Sequence, residues 1–287
     1  MTEPAGRFAP SPTGPLHFGS LLAATASFLD ARQQQIRWLV RIDDLDAPRN
    51  VPGSVQSILH SLEAHGLCWD GEVVYQSHRL AAYRAALQSL EGQLFYCTCS
   101  RRRLSDRPLY PGTCRWRRTP CPDAAIRIRV DQAAVRFHDL IAGPQEEIPA
   151  RTCGDFVVRR RDGLMAYQLA TAVDDGRPEI TRVVRGGDLL SNTARQIYLM
   201  RRLGSTVPTY AHLPVLVGKD GAKLSKQTHA PALDDSKATA NLLRIFPCLG
   251  LHAPAEAAGW TPGQLLSWAV SRFDLQRIRG GSLPFRS

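Results

Sequence analysis

An α/β fold is predicted for this chain: a doubly wound parallel sheet, carrying a small insertion and a short helical C-terminal segment. Three observations carry that expectation. Short apolar runs alternate with helical stretches through roughly the first hundred residues, the alternation lapses over residues 97–155 and then resumes, and the last stretch keeps only helical periodicity. Strand–helix–strand order with short links implies parallel neighbours, and such sheets bind ligands beyond the carboxyl ends of their strands. The expected divisions are residues 1–96 (first half of the main domain), 97–155 (insertion), 156–230 (second half) and 231–287 (helical segment).

Each element follows from its local pattern. Residues 6–10 make a short strand candidate, and residues 16–33 a helix with Ala and Leu on one face. "IRWLVRI" (36–42) is an apolar run of strand length. Residues 52–65 read as a helix stopped by Gly66, followed by the strand "VVYQS" and a helix over 78–91. Within the insertion, "AIRIRV" and "VRFHDL" alternate as strands do. "GLMAYQLATAVDD", "ITRVVRGG" and a helix over 193–203 restore the α/β pattern. "LPVLVGKDGAKLS" reads as a hairpin around an Asp-Gly turn. "TANLLRIF" and "GQLLSWAV" are helical, and a Gly/Pro tail follows.

Composition narrows the class. The 287 residues exceed what one ordinary core needs, and an apolar content of 44% suits a globular protein. No apolar stretch is long enough to span a bilayer and "MTEPAG" is not a signal peptide, so a cytoplasmic protein without a membrane partner is expected. The formal charge of +10 favours polyanionic partners. Its distribution is uneven: residues 97–118 carry seven arginines against one acid, Asp106. All four lysines lie between positions 219 and 237 in a chain that otherwise uses arginine. Lysine offers a phosphate a compact, mobile point charge, which arginine does not. Seven cysteines is an odd number, which argues against a disulfide framework. Cys68, Cys153 and Cys248 are isolated and read as core thiols, whereas Cys97, Cys99, Cys114 and Cys121 cluster.

The chemistry concentrates in two places. In "RFAPSPTGPLHFGS" a stiff Pro- and Gly-punctuated loop opens a helix, whose N-terminus attracts anions. Gly14 and Gly19 admit a ligand close to the backbone, and His17 can donate to a phosphate oxygen. Downstream, "KLSKQ" (223–227) places two lysines around a serine. Together, His17-Phe18-Gly19-Ser20 and Lys223-Leu224-Ser225-Lys226-Gln227 resemble the two signature sequences of class I aminoacyl-tRNA synthetases, usually HIGH and KMSKS. "RIDDLD", "AYQLATAVDD" and "VVRGGDLL" extend the likeness, in order, to the glutamyl branch of that class.

That resemblance implies a Rossmann-like, nucleotide-binding catalytic domain. It implies ATP as substrate, with Mg²⁺, bound through His17, Gly19, Ser20, Lys223 and Lys226. His17 and Lys226 would be catalytic, steadying charge on the phosphates as pyrophosphate leaves. Glutamate would be held by Arg7, Ala9, Ser11, Asp43, Tyr167 and Arg185, the arginine fork matching a carboxylate. Asp43 stands where the family usually has Glu, one methylene longer; Asp44 is its neighbour, and either acid could instead pair with Arg41. After "KLSKQ" sixty residues remain, too few for an anticodon-binding domain. This shape resembles the truncated family of the branch, the glutamyl-queuosine tRNA(Asp) synthetases. Its implied partners are L-glutamate and a tRNA(Asp) carrying queuosine, acting on a monomer. The alternatives are a minimal glutamyl-tRNA synthetase charging a tRNA 3′ end, a nucleotidyltransferase for a small metabolite, and a non-catalytic tRNA-binding paralogue.

Cys97, Cys99 and Cys114 offer three thiolates for a structural zinc, which needs a fourth ligand. Residue chemistry first suggests Cys121 or His138. The family resemblance instead points to Tyr110, four residues before Cys114. Such a zinc would staple a loop-rich insertion, leaving the arginines around it to face RNA phosphates.

Overall fold

The computed structural model describes residues 2–105, 107, 109–218 and 231–285. In chain order these form β1 (Ala5–Phe8), α1 (Phe18–Gln33), β2 (Arg37–Ile42), α2 (Ser54–Ala64), β3 (Val74–Tyr75), α3 (Leu80–Ser89), β4 (Leu94–Cys97) and α4 (Arg101–Leu104). Next come β5 (Ala125–Ile128), β6 (Val135–Asp139), β7 (Gly143–Glu147), α5 (Pro149–Thr152), β8 (Phe156–Arg159), α6 (Tyr167–Asp175), β9 (Ile180–Gly186) and α7 (Leu190–Arg202). The chain finishes with β10 (Thr209–Leu213), β11 (Val215–Val217), α8 (Ala238–Ile245), α9 (Pro262–Val270) and β12 (Ser282–Pro284).

The main sheet runs β3-β2-β1-β9-β10-β6-β7, parallel throughout except for β7 on the edge. From β1 the chain crosses through α1 to β2, and from β9 through α7 to β10 on the other side. The order therefore reverses between β1 and β9, which is where a doubly wound sheet opens a crevice at its carboxyl end. One core packs α1 against the sheet and against α8 and α9; a second packs α3, α6 and α7. No helix of the described residues is long and apolar enough to cross a membrane.

Three features depart from the local patterns. Helix α1 is buried around nearly its whole circumference, because the C-terminal helices cover the face that the sheet leaves open. Its small residues suit that double contact: Ala31 packs so close to β1 that a Cβ on Gly6 would stand 3.3 Å from the Ala31 methyl. "VRFHDL", expected in the insertion, is β6 and extends the main sheet beside β10. The small antiparallel sheet is β4-β5-β8, so residues on both sides of 97–155 belong to it. Alternation marks a half-buried strand but does not name its partner. Lastly, the tail is not irregular: β12 pairs in parallel with β11, and Phe285 packs on Phe18 with ring centroids 5.0 Å apart. The turn of the expected hairpin after β11 lies outside the described residues.

Candidate active site

The loop from Ala9 to Leu16 carries few internal bonds and is held from outside. Ser54, buried at the start of α2, accepts from the Gly14 N–H at 2.9 Å and donates to the Gly14 carbonyl at 2.7 Å. Gly14 can take this role because its φ is +136°. Asp43 and Val51 donate their N–H groups to the carbonyls of Pro10 and Pro12, and Leu233 donates to Leu16. Prolines restrict the loop and these staples place it.

At its end His17 caps α1. Its Nδ1 accepts from the Ser20 N–H at 3.3 Å, so the proton of the neutral ring sits on Nε2, which lies 3.2 Å from Ser20 Oγ. The ring thus satisfies one donor of the helix mouth and holds an Nε2–H donor toward the cleft, since His17 lines it.

That cleft, about 450 Å³, lies at the switch point between β1 and β9. Arg7, Ala9, Ser11, Asp43, Tyr167 and Arg185 all line it, as do His17, Gly19 and Ser20. Residues from four separate segments therefore meet in one cavity. Lys223 and Lys226 lie outside the described residues. Val215 and Leu216 line the cleft on one side of that stretch, and Leu233 bonds to Leu16 on the other.

Charge is arranged unevenly within the cleft. Arg7 grips Asp175 with two bonds, Nε to Oδ1 at 3.0 Å and Nη2 to Oδ2 at 2.7 Å. Arg41 bonds Asp175 through Nη1 at 2.6 Å and Asp43 through Nε at 2.6 Å. Burial would raise the pKa of Asp175, but the guanidiniums of Arg7 and Arg41 outweigh it and hold the carboxyl well below its ordinary range. For Asp43 burial wins and pushes the pKa up despite Arg41. Asp43 therefore both faces the cavity and pairs with Arg41. Asp44 turns away and accepts from Ser77 N–H at 2.8 Å and Oγ–H at 2.6 Å.

Arg185 differs from the other two arginines. It is 4% exposed and, among the described residues, pairs with no carboxylate. Its Nε donates to His212 Nε2 at 3.1 Å and its Nη2 to Thr193 Oγ1 at 2.8 Å, while Nη1 has no partner. Because arginine only donates, His212 must accept at Nε2 and carry its proton on Nδ1, which donates to Asp139 Oδ2 at 2.6 Å. Burial lowers the His212 pKa against the pull of Asp139, so the ring is neutral. The chain Asp139–His212–Arg185 orients the guanidinium without neutralising it. Arg185 and His212 are register partners on β9 and β10, which is why they meet.

Asp175, His212, Thr193 and Ser54 are not evident from residue type alone. A histidine in the apolar run "YAHLPV" reads as core, and Ser54 reads as a helix cap. One signal was present for Asp175. Paired aspartates at the carboxyl end of a helix oppose its dipole and demand nearby cations, and Asp174 and Asp175 close α6.

In the small sheet, Cys97, Cys99 and Cys114 bring their Sγ atoms within 4.8 Å of one another. Cys99 Sγ to Cys114 Sγ is 3.7 Å, close to the roughly 3.8 Å edge of a tetrahedron with zinc–sulfur bonds of about 2.3 Å. Tyr110 Oη stands 3.4 Å from Cys97 Sγ. Three thiols and a phenol converging in this way fit a four-coordinate zinc. Cys121 lies outside the group and accepts from Arg117 instead, and His138 is exposed on β6.

Comparisons with known proteins agree with this architecture. Residues 5–108 and 115–246 match the family described as tRNA synthetases class I (E and Q), catalytic domain. The chain is 51% identical to the glutamyl-Q tRNA(Asp) synthetase of Thiobacillus denitrificans, covering 95% of this chain and 94% of that one. It is 48% identical to that of Pseudomonas aeruginosa, with 97% of each covered. The fold superimposes with a TM-score of 0.81 on a glutamate tRNA ligase from Elizabethkingia meningosepticum, solved in complex with its amino acid, at 23% identity. That alignment covers 99% of this chain and 67% of the ligase. The chain belongs to the class I tRNA synthetases for E and Q, within the glutamyl-Q tRNA(Asp) synthetase family.

Proposed function

We propose that the protein activates L-glutamate with ATP as glutamyl-adenylate and transfers the glutamate to the queuosine base at the wobble position of tRNA(Asp). The observation that carries the amino-acid half is Arg185. A buried guanidinium with an unpartnered Nη1 at the wall of a cleft is costly unless an anion meets it. Arg7 and Arg41 are paired with Asp175, Asp43 and Asp174, and Asp188 also lines the cavity, which leaves Arg185 as the lining arginine without a carboxylate partner among the described residues. Glutamate, with two carboxylates and one ammonium, is complementary. Its side-chain carboxylate would sit on Arg185 and its ammonium near Asp43 and Tyr167, with Ala9 and Ser11 along the backbone.

The α-carboxylate then attacks the α-phosphorus of ATP, a C–O–P bond forms and pyrophosphate leaves. Positioning and fixed positive charge are what such a displacement requires. His17 Nε2–H, with the N–H of Gly19 at the mouth of α1 and the Ser20 hydroxyl, would supply donors to the phosphates. Lys223 and Lys226 would take the family's role toward the phosphates, and Mg²⁺ bound with ATP would add positive charge to them. In the second step a queuosine hydroxyl attacks the mixed anhydride, forming the ester and releasing AMP. Zinc on Cys97, Cys99, Cys114 and Tyr110 would crosslink the small sheet. We place the enzyme in the cytoplasm, where its tRNA substrate and ATP are found.

The test is to incubate the protein with ATP, labelled glutamate and tRNA(Asp), with or without queuosine, and locate the label. Label that requires queuosine supports the proposal. Label on the terminal adenosine would establish 3′-end charging instead. Absence of glutamate-dependent ATP–pyrophosphate exchange would remove both.

A further inference from the structure

The insertion carries a surface that the activation chemistry leaves unused. Trp116 is 72% exposed, whereas Trp38 is fully buried and Trp69, Trp260 and Trp268 are partly buried in the main core. It sits in the turn just after Cys114, and that turn is tied down. Arg115 N–H donates to Gly112, Arg117 N–H to Cys114 and Tyr96 N–H to Arg117, all at 2.9–3.0 Å. An indole this exposed forgoes its burial free energy, so a rigid turn presents it at a cost to the free protein.

The charge around it is also unspent. The Arg117 guanidinium lies 5.2 Å from the Trp116 ring centre. Arg117, Arg118 and Arg129 are anchored by neutral acceptors, namely Thr98 Oγ1, the Gly92 carbonyl and the Arg115 carbonyl. Among the described residues none of the three pairs with a carboxylate; only Arg115 does, with Asp155 at 2.9 Å. Partial burial, followed by the charges of Arg118 and Arg115, lowers the pKa of Arg129 against the opposite pull of Asp155, which marks Arg129 as a neighbour of Arg118 and Arg115.

We propose that Trp116 is a stacking platform for an unpaired base of the RNA substrate, with the adjoining phosphates held by Arg117, Arg118 and Arg129. An exposed aromatic flanked by uncompensated guanidiniums is the combination that binds single-stranded nucleotides: the ring takes a base face of any identity and the cations track the backbone. An acidic protein surface would meet the arginines but leave the indole without a flat partner. The assignment rests on the reading of tRNA as partner and adds where and how it is gripped.

Filter binding of a tRNA(Asp) transcript, without ATP or glutamate, tests it on the intact protein. Trp116→Ala should weaken binding about tenfold, Trp116→Phe should stay within threefold of the parent, and Trp116→Leu should fall with the alanine variant. Thermal melting confirms that each variant is folded. Binding by Trp116→Ala within twofold of the parent overturns the proposal, as does a leucine variant that binds as well as phenylalanine. If the parent binds the transcript through Trp116 but transfers no glutamate to queuosine-bearing tRNA, the functional reading fails and the stacking platform stands.

Discussion

Arg185 does with its neighbours what a lysine could not. Its Nε and Nη2 are fastened to His212 and Thr193, which leaves Nη1 as the free edge of a planar fork. Arg185→Lys keeps the charge but loses that geometry, so KM for glutamate should rise about 100-fold while KM for ATP moves little, as read by pyrophosphate exchange. The same chain gives a pH dependence. His212 is neutral because burial lowers its pKa below 6.5, and it is faced by Asp139, Arg185 and Arg7. Protonation would put an Nε2–H against the Arg185 Nε–H and break the contact. KM for glutamate should therefore increase as pH falls beneath the ordinary imidazole value and reaches the lowered one, and His212→Asn should flatten that rise while raising KM about tenfold at neutral pH. A pH profile unchanged by the substitution would show that another group titrates.

At the scale of elements, the site depends on close approaches between strand ends and their connecting turns. A Cβ on Gly187 would stand 2.5 Å from the Leu213 carbonyl oxygen, so only glycine lets the turn after β9 press against the end of β10. Gly187→Ala should cost about 2 kcal/mol in urea unfolding and weaken glutamate binding, because Arg185 and His212 flank that contact. The small sheet buries Leu94, Ile126, Ile128, Phe156 and Val158 in the second core, whereas the loops beyond β4 have only Phe95, Cys97 and Cys114, with Cys99 and Tyr110 packed against them, which is too little apolar surface to hold a loop-rich stretch. Metal analysis should find one zinc per chain. Cys99→Ser should lose it and expose residues 98–124 to protease. Unchanged zinc content in that variant would sink the ligand assignment.

Across the molecule, local patterns located most elements and the cleft, because strand runs and helix mouths are written in contiguous residues. Tertiary partners were not written there. "VRFHDL" alternates equally well for either sheet, the burial of both faces of α1 depends on helices two hundred residues away, and His212 looks like core until Arg185 is set opposite it. The recognised motifs brought Arg7, Tyr167 and Arg185 forward but not the groups that aim them. Those buried, one-sided contacts have a global consequence. His65 is also neutral: burial lowers its pKa, its Nδ1 lies 2.7 Å from the Ser61 carbonyl, and Asn241 stands 3.1 Å from its Nε2. Two histidines with folded pKa values below 6.5 bind fewer protons in the native state than in the unfolded chain. Stability must then fall as pH drops from about 6.5 toward those folded values. Asp139 and Asp175 act further down. Burial raises each carboxyl's pKa, but His212 outweighs it for Asp139, and Arg7 and Arg41 outweigh it for Asp175. Their stabilisation is complete above the unfolded carboxylate value near 3.8 and is lost as pH falls through the depressed native values. The thermal midpoint should consequently decline in two stages, one beginning as pH falls below about 6.5 and a second below about 3.8. In the double variant His65→Asn, His212→Asn only the second stage should survive, and a first stage that persists there would assign the loss to other groups.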